Sequence, residues 1–423
     1  MGLQPWTPWG CLDGANVRGE RGLRRPYASV SAQALLALSV DSLGLLAGGL
    51  VSLLAPLLRS RPWLLALYPP ILTVRGDISG IFSGNLSTML HLGLIYPRLR
   101  GNTRTYYSLI SSIYVLTLLD TLGMGLIAFM LNLPLGIASI GHLGLYLLLP
   151  TVTCLAAVLI SIPLTTLIAI SGYRRGLDPD IILYPCLSSI NDILVSGSYA
   201  AVAALSITKL GVWMLSMLFL SALMAAAAII YMFRGDELFA SVIREGTLTV
   251  LFSTLLASLN GIVLSRLREG ILRHPGILIL YPSLLSTLGD IGSIIGSLTT
   301  TSLALGYVRG LRGILDEGLR RTLRVEAVAA PLHILFALLA YLLLGLPDVG
   351  VLRFLVSVSL LTNLLSFLSI SLLALLLAHM THRRGLNPDN VVIPAITSAS
   401  DTTATLTLLP ALAITRLIAS KTP

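Results

Sequence analysis

Charged residues and cysteines are scarce in this chain. Only 11% of its 423 residues are charged, whereas a soluble domain carries about 25%, so the composition excludes an ordinary soluble protein. The three cysteines, Cys11, Cys154 and Cys186, form no CxxC pair, which argues against a disulfide framework and a thiolate metal site. The motifs HExxH, GxSxG and Walker A are also missing, which disfavours a zinc protease, a serine hydrolase and an ATP-driven pump.

Apolar residues, in contrast, are abundant along the whole chain. They make up 55% of it, and the mean hydropathy is +0.88. Apolar runs longer than about 18 residues predict membrane-spanning helices, so we expect an all-α polytopic membrane protein. Some runs are long enough that tilts or breaks are expected. The eleven predicted spans are 31–57, 64–95, 107–131, 143–171, 181–207, 210–233, 246–264, 276–306, 325–346, 352–379 and 390–418.

The basic residues predict the orientation of these spans. Eighteen of the 28 Lys and Arg residues fall on the side of the N-terminus and nine on the opposite side, while Arg75 lies inside a span. Cytoplasmic loops carry the excess of Lys and Arg, so a cytoplasmic N-terminus and an external C-terminus are expected in a cell membrane. Residues 1–29 lack the apolar core of a signal peptide and are interpreted as a cytoplasmic tail. Because this excess of basic residues follows the loops, it does not indicate nucleic-acid binding.

An internal repeat divides the chain into two halves. The segment from Tyr68 to Gly93 aligns without a gap to the segment from Tyr281 to Gly306, and "RRGLDPDIILYPCLSSIND" aligns to "RRGLNPDNVVIPAITSASD" 209 residues later. We predict a first five-helix repeat at 30–208, a linker helix at 209–236 and a second repeat at 237–423. Because the linker crosses the membrane once more, the two halves are parallel and related by a pseudo-two-fold axis along the membrane normal.

Four aspartates, Asp77, Asp192, Asp290 and Asp401, lie near the middle of their predicted spans. A carboxylate at that depth is costly unless it faces a cavity, a partner or an ion. A proline precedes each one by seven or eight residues, and proline frees backbone carbonyls that can face a polar cavity. Oxygen ligands of this kind suit Mg²⁺, Ca²⁺ or Mn²⁺. We therefore predict a site for a largely hydrated divalent cation, with Asp192 and Asp401 facing each other across the axis.

Further polar residues of the same spans are candidates for the pore lining. They are Asn85, Ser87, Thr88, Ser188, Ser189, Asn191, Thr300, Thr301, Thr397 and Ser398. The asparagines among them, with Asn260 and Asn363, are interpreted first as bonds between helices and second as pore lining.

Three more charged side chains lie well inside predicted spans, away from the span ends. Asp41 and Asp120 have no acidic counterpart in the second half, so each is interpreted as a local bond between helices. The role of Arg75, whose counterpart is Leu288, is left open. A pairing with Asp77 is one option, and it would keep that carboxylate ionised and make the two halves unequal.

The loops "DPD" and "NPD" predict helix starts, with Asp178 or Asn387 as the N-cap and a proline in the first turn. Asp180 and Asp389 then favour the helix dipole, and a role at the cytoplasmic mouth of the pore remains open for both.

These motifs resemble a known family. "NPDNVVIPAITSASD" is similar to the signature of solute carrier family 41, the MgtE-like magnesium transporters, and "GDISGIFSGNLST" resembles their second-helix element. The resemblance covers about 30–232 and 237–418. It implies two fused MgtE-type units, with the pore acid of each unit at Asp192 and Asp401. At Asp77 and Asp290 the family usually has asparagine. This departure adds negative charge and therefore bears on the ion selectivity. Bacterial MgtE sensor domains have no counterpart here.

Three functions are therefore weighed. The favoured function is transport of a divalent cation, most of all Mg²⁺, by a pseudo-dimeric monomer that needs no cofactor and is not an enzyme. The alternative is a secondary transporter of another small solute coupled to H⁺ or Na⁺. An intramembrane aspartyl protease is disfavoured because Val74 and Thr287 replace the first glycine of its Gly-x-Gly-Asp motif.

Overall fold

The computed structural model describes residues 34–35, 38–91, 93–174, 179–304, 308, 310–345, 348–383 and 388–421, and this part of the chain contains helices and no strands. Two 3₁₀ turns, Asp41–Leu43 and Ile140–His142, precede helices. The α-helices are α1 (Gly44–Ser52), α2 (Ala55–Ser60), α3 (Pro62–His91), α4 (Arg104–Asn132), α5 (Leu143–Arg174), α6 (Pro179–Leu205), α7 (Lys209–Phe233), α8 (Glu237–Arg266), α9 (Arg268–Arg273), α10 (Gly276–Ala304), α11 (Gly310–Leu344), α12 (Val349–Arg383) and α13 (Pro388–Lys421).

Seven helical segments of the described chain are long and apolar enough to cross a membrane. They are Arg104–Asn132, Ile140–Ser171, Lys209–Phe233, Glu237–Arg266, Gly276–Gly296, Arg312–Leu344 and Val349–Thr381. A shorter apolar helix covers Leu38–Ser52. The prediction of an all-helical membrane protein is therefore confirmed in this form.

One loop was expected where the structure has a helix. The basic segment before residue 325 forms the first turns of α11, which begins at Gly310. Arg321 explains this extension, because its guanidinium donates to the carbonyl of Leu298 and to the hydroxyl of Ser302 on α10, both at 2.8 Å. Glu317, one turn earlier, accepts from the same side chain at 3.1 Å. Tertiary contacts thus hold a segment whose charge alone indicated a loop.

The expected helix breaks do not occur at the prolines. Helix α3 runs unbroken through Pro69 and Pro70, and α10 runs unbroken through Pro282. The breaks lie instead at the ends of α1 and α8. The short helix α2 follows α1 after its break, and the short helix α9 follows α8. These two short helices have matching positions in the repeat and pack on each other, and Arg59 donates to the carbonyl of Leu272 across their contact at 3.3 Å.

The first helix of each half packs on the opposite half. Helix α1 lies against α6 and α10, and α8 lies against α3 and α13. Both crossings are made at a glycine: a Cβ on Gly48 would overlap the carbonyls of Leu278 and Ile279, and a Cβ on Gly261 would overlap the carbonyl of Ala66. These positions correspond in the repeat, so the two crossings are equivalent.

The predicted linker span is helix α7, which lies at the periphery. It packs on α4, α5 and α6, and its outer face exposes large apolar side chains such as Leu210, Trp213 and Met224. An exposed apolar surface of this kind fits contact with lipid tails. Helices α3, α6, α10 and α13 form the interior of the bundle.

Candidate functional site

The four aspartates predicted to bind an ion lie on the four inner helices. Asp77 is on α3, Asp192 on α6, Asp290 on α10 and Asp401 on α13, each towards the middle of its helix. Pro179 and Pro388 begin α6 and α13, as the two loop motifs predict. Asp178 and Asn387, the predicted N-caps, lie outside the described residues.

Two matching hydrogen bonds connect the halves at this level. The Ser286 hydroxyl on α10 donates to Oδ2 of Asp192 at 3.0 Å, and the Thr73 hydroxyl on α3 donates to Oδ2 of Asp401 at 3.0 Å. Ser286 and Thr73 correspond in the repeat, as do the two aspartates. Asp192 and Asp401 are called the central acids below. Each half supplies the hydroxyl that donates to the central acid of the other half.

Arg75 pairs with Asp192, so the pairing with Asp77 that the sequence left as an option does not form. Its Nη2 lies 2.6 Å from Oδ1 of Asp192, and both side chains are almost fully buried. The same nitrogen donates to the Ser188 carbonyl at 3.4 Å. Arg75 and Asp77 are two positions apart on one helix, and side chains at that spacing do not face each other. The guanidinium consequently points to the neighbouring helix.

Asp77 and Asp290 are less completely bonded than the central acids. Oδ2 of each is buried and accepts no hydrogen bond. The Ser253 hydroxyl of α8 neighbours Asp77, and Asp401 is also close enough to interact with it electrostatically. Asp77 therefore lies near Asp401 and Asp290 lies near Asp192, and each of the two has one carboxylate oxygen without a hydrogen bond.

Asp41 and Asp120 are fully buried, and hydroxyls of other helices lie beside both carboxylates, as the interpretation of local bonds between helices expects. Ser189 and Thr287 neighbour Asp41, and Thr247 neighbours Asp120, although none of these hydroxyls reaches full hydrogen-bond geometry. Asp41 lies within electrostatic range of Asp290 and Asp192, and Asp120 lies within range of Asp77. Both acids therefore belong to the surroundings of the predicted site. Sequence reasoning missed this because it considered each position only with its counterpart in the repeat.

A layer of tyrosines closes one end of the site. Tyr68 and Tyr281 correspond in the repeat, are fully buried, and have ring centroids 6.4 Å apart. The Tyr68 hydroxyl is 2.9 Å from that of Ser196, and the Tyr281 hydroxyl is 3.0 Å from that of Thr405. Beyond the acids the surface differs, because residues 79–81 and 83–85 of α3 are partly or fully exposed. The site is sealed on the tyrosine side and partly open on the other.

The remaining candidates for the pore lining have different surroundings. Asn191 bonds between helices, since it accepts from Ser161 at 2.5 Å and donates to Ser79 at 3.0 Å. Asn85 donates to its own helix at Ile81, 2.8 Å away, so the interpretation as a bond between helices does not hold there. Ser398 donates to Ser253 at 2.9 Å.

Asn260 and Asn363 also join helices. Asn260 donates to Thr402 at 3.3 Å, and Asn363 donates to Glu326 at 2.6 Å. Ser188 and Thr397 are partly exposed, and Ser189 is buried with an unpartnered hydroxyl. The side chains of Ser87, Thr88, Asp180, Thr300, Thr301 and Asp389 lie outside the described part of the structure.

Direct ligation of one metal ion by several acids is not seen in the part of the chain that is described. There, no group of three or more Asp, Glu, His or Cys side chains converges on a common point. The sequence predicted a largely hydrated ion, which contacts carboxylates through its water and needs no such convergence. The described acids are close enough to interact electrostatically, but they do not form a compact cluster.

Comparison with known proteins identifies the family. The family model of MgtE, described as a divalent cation transporter, matches residues 68–202 and 281–411, which together exceed half of the chain. The chain belongs to the MgtE divalent cation transporter family. The first matched segment contains Asp77 and Asp192, and the second contains Asp290 and Asp401. Membership in this family indicates divalent cation transport and a multi-pass membrane location, and it supports a non-enzymatic role.

Curated relatives agree with this MgtE assignment. Solute carrier family 41 member 3 of Rattus norvegicus is 24% identical over 402 residues, which cover 88% of this chain and 84% of that protein. The protein of the same name from Mus musculus is 22% identical over 372 residues, covering 82% and 74%. No solved structure matches. The resemblance to solute carrier family 41 that the motifs indicated is thereby confirmed.

Proposed function

We propose that this chain transports a divalent cation across the cell membrane and that Mg²⁺ is its main substrate. The pathway runs between two parallel halves, and Asp77, Asp192, Asp290 and Asp401 bind the ion near the bilayer midplane. The polar residues named above as pore candidates line the rest of the path. Asp180 and Asp389 form its cytoplasmic mouth.

The reciprocal hydrogen bonds carry this proposal. The bond from Ser286 to Asp192 and the bond from Thr73 to Asp401 have the same length, 3.0 Å, and corresponding positions. The two acids therefore receive equivalent hydroxyl bonds from opposite halves. A pathway along a pseudo-two-fold axis requires this equivalence. A family of divalent cation transporters supplies the chemical class of the ion.

Charge supports the same conclusion. The central region contains several buried carboxylates, and Arg75 is paired with one of them. Unpaired carboxylates at the centre of a membrane are costly, so a cation that neutralises them is favoured there. Because Mg²⁺ releases water reluctantly, we propose that it passes largely hydrated and contacts the acids through its water shell.

The proposed architecture has eleven spans and the boundaries predicted from the sequence: a tail at 1–29, repeats at 30–208 and 237–423, and a linker at 209–236. The N-terminus is cytoplasmic, the C-terminus is external, and the single chain acts as a pseudo-dimer. A membrane-impermeant thiol reagent on intact cells would label Leu135→Cys and spare Arg100→Cys in a cysteine-free background. The reverse pattern would refute the orientation.

In this orientation the tyrosine layer of Tyr68 and Tyr281 lies on the external side of the acids. The exposed positions of α3 beyond Asp77, at 79–81 and 83–85, then lie on the cytoplasmic side. The arrangement corresponds to a state that is closed outside and accessible from inside.

Flux of Mg²⁺ into proteoliposomes tests the function. The wild-type chain is expected to take up Mg²⁺, and Asp192→Asn and Asp401→Asn are each expected to abolish uptake because each removes one central carboxylate. Glu326→Gln, which neutralises an acid between α11 and α12, serves as the control and should retain uptake. Unchanged flux in both aspartate variants would remove the site.

Imposed gradients separate the modes of transport. Uptake that is unaffected by a Na⁺ or H⁺ gradient indicates a channel or uniporter, and uptake that depends on either gradient indicates coupling. Transport of an organic solute without dependence on Mg²⁺ would replace the proposed function by the alternative, a coupled transporter of another solute.

A further inference from the structure

A cavity of about 470 Å³ lies at one end of the bundle, and its walls include Arg61, Trp63, His142 and Ser206. This volume is within the range of about 300–1,000 Å³ that is typical of ligand pockets. The cavity is separate from the transport pathway, because Pro62 at its wall and Asp77 are 15 positions apart on α3, which is about 22 Å along a helix.

The cavity lies at the level where membrane spans begin and end. The apolar segment Arg104–Asn132 ends shortly before it, Ile140–Ser171 begins beside it, and Lys209–Phe233 begins just after Ser206. A cavity at the ends of three such segments is at the surface of the membrane. The proposed orientation makes this surface the external one.

Arg61 lies between two helices as a result of the local sequence. Pro62 begins α3, and a residue before proline is disfavoured in the helical conformation. Arg61 accordingly has φ −130° and ψ 79° at the end of α2. Within the described part of the chain its guanidinium makes no hydrogen bond or ion pair. Its N–H groups are therefore available to a ligand in the cavity.

His142 and Trp63 form an adjoining wall. Their rings stack with centroids 5.1 Å apart, and Trp63 is almost fully buried. Nδ1 of His142 accepts the backbone N–H of Ser139 at 3.1 Å, so Nε2 carries a proton in the neutral as well as in the charged imidazole. The cavity thus has a second proton donor in a fixed position.

The charge of this end of the bundle favours an anion. A guanidinium beside a further N–H donor is the usual arrangement for a phosphate or a carboxylate, and it repels a cation. The surrounding segments 55–61 and 266–274 contain one acid, Glu269, and five arginines: Arg59, Arg61, Arg266, Arg268 and Arg273. The cavity is therefore not an entrance for the transported ion.

Apolar side chains beside the cavity indicate what carries the anion. Ile140, Ile207 and Leu135, close in sequence to residues of the cavity wall, have exposed fractions of 79%, 51% and 41%. Exposed apolar side chains at the membrane surface fit contact with acyl chains. A phospholipid satisfies both requirements, since its phosphate is anionic and its chains are apolar.

The corresponding place in the second half is filled. Arg61 and Trp63 have His274 and Gly276 as counterparts. His274 stacks on Phe354 with ring centroids 4.1 Å apart, and a Cβ on Gly276 would lie 2.8 Å from Leu355. The cavity is therefore a feature of the first half and is not repeated there.

We propose that this cavity binds the phosphate headgroup of one anionic phospholipid. Arg61 and His142 donate to the phosphate oxygens, Trp63 forms the wall behind the headgroup, and the acyl chains lie against the exposed apolar side chains. The inference uses the membrane location of the chain and not the identity of the transported ion.

Native mass spectrometry of the purified full-length chain in detergent, with added phosphatidylglycerol, tests the site. The wild type is expected to bind one phosphatidylglycerol more tightly than further lipid molecules. Arg61→Gln should weaken this binding by about tenfold or more, because it removes a charge-assisted hydrogen bond. Arg268→Gln, which changes the same charge on α9 outside the cavity wall, should bind like the wild type. Equal affinity in the two variants would overturn the proposal.

A second pair of variants blocks the cavity and leaves Arg61 in place. Ser60 is exposed at the cavity wall and donates to the carbonyl of Leu57 at 2.9 Å, so Ser60→Trp places an indole in the cavity without entering the core. It should lose the tight lipid at an unchanged unfolding temperature. The control is Ser221→Trp on α7, where an exposed serine makes the same type of bond, to Leu218. Equal lipid binding in both tryptophan variants would reject the site.

Soluble glycerol phosphate separates a lipid from a free phosphate. It has the headgroup chemistry without the acyl chains, so it should displace the lipid poorly at equal concentration. Displacement at equal concentration would reject the lipid as the occupant. Mg²⁺ uptake into proteoliposomes is a separate result: its loss rejects the transport function, whereas only the lipid measurements bear on the cavity.

Discussion

At the scale of single residues, Arg75 holds the charge of Asp192 inside the bundle. The guanidinium also has two nitrogens, Nε and Nη1, that are buried without a partner. One of its two ends is therefore firmly bonded and the other is not. A positive side chain in this position neutralises the central acid of the first half, while the central acid of the second half, Asp401, receives only a hydroxyl.

Removing this guanidinium should destabilise the protein. Arg75→Leu leaves a buried charge on Asp192, and breaking a buried ion pair in this way costs about 3–5 kcal/mol. A lower unfolding temperature in detergent is expected, with recovery when Asp192→Asn is added. Arg104→Leu is the control, because Arg104 is largely exposed and lies 3.8 Å from Asp236, and such pairs contribute about 0–1 kcal/mol. Equal unfolding temperatures for Arg75→Leu and Arg104→Leu would contradict this account.

Several of these residues were predictable and others were not. The position of the four acids in the middle of the inner helices follows from their depth in apolar spans and from the repeat, while their role as ion ligands stays a prediction. Thr73 and Ser286, which bind the central acids, were missed, although their matching positions were a usable signal. The partner of Arg75 was missed because only a neighbour in sequence was considered, and helical geometry argues against pairing at that spacing.

At the scale of helices, the exchange of α1 and α8 between halves depends on two glycines. Each lets a helix approach the backbone of the opposite half more closely than any side chain allows, which is a common way for helices to pack in membranes. The sequence does not encode the partner of an apolar helix, because an apolar face fits many neighbours. Some helix boundaries were predictable, such as those of α4, whereas the start of α11 and the exchange of α1 and α8 were not.

Alanine at these crossings should weaken the packing. Gly48→Ala and Gly261→Ala each place a methyl group onto a backbone carbonyl of the opposite half, and overpacking of this kind costs typically about 1–3 kcal/mol. Both variants should unfold at lower temperature in detergent. Gly49→Ala has open space around its Cβ position and should unfold like the wild type. A wild-type unfolding temperature for Gly48→Ala and Gly261→Ala would refute the close approach.

At the scale of the whole molecule, the two halves share a plan but differ in charge. The plan is visible in matching hydrogen bonds, tyrosines, glycine crossings and short helices. The difference comes from Arg75, Asp41 and Asp120, which have Leu288, Thr254 and His333 as counterparts. The first half therefore carries a buried arginine and two acids that the second half lacks.

Moving the guanidinium from one half to the other tests the symmetry. In the variant Arg75→Leu with Leu288→Arg, the new arginine should pair with Asp401 as Arg75 pairs with Asp192, because the positions correspond. The unfolding temperature lost in Arg75→Leu should largely return. Arg75→Leu with Leu280→Arg places the charge elsewhere on α10 and should give no recovery. Equal behaviour of the two double variants would show that the halves are not equivalent at this level.

The crossing of α1 and α8 also restricts how the protein opens. Each of these helices packs on inner helices of the other half, so the two repeats are interlocked. If one repeat rotated against the other as a rigid body, the packing of α1 and of α8 on the opposite half would be lost. The bodies that move during transport therefore divide the bundle along a boundary other than the one where the sequence duplicates.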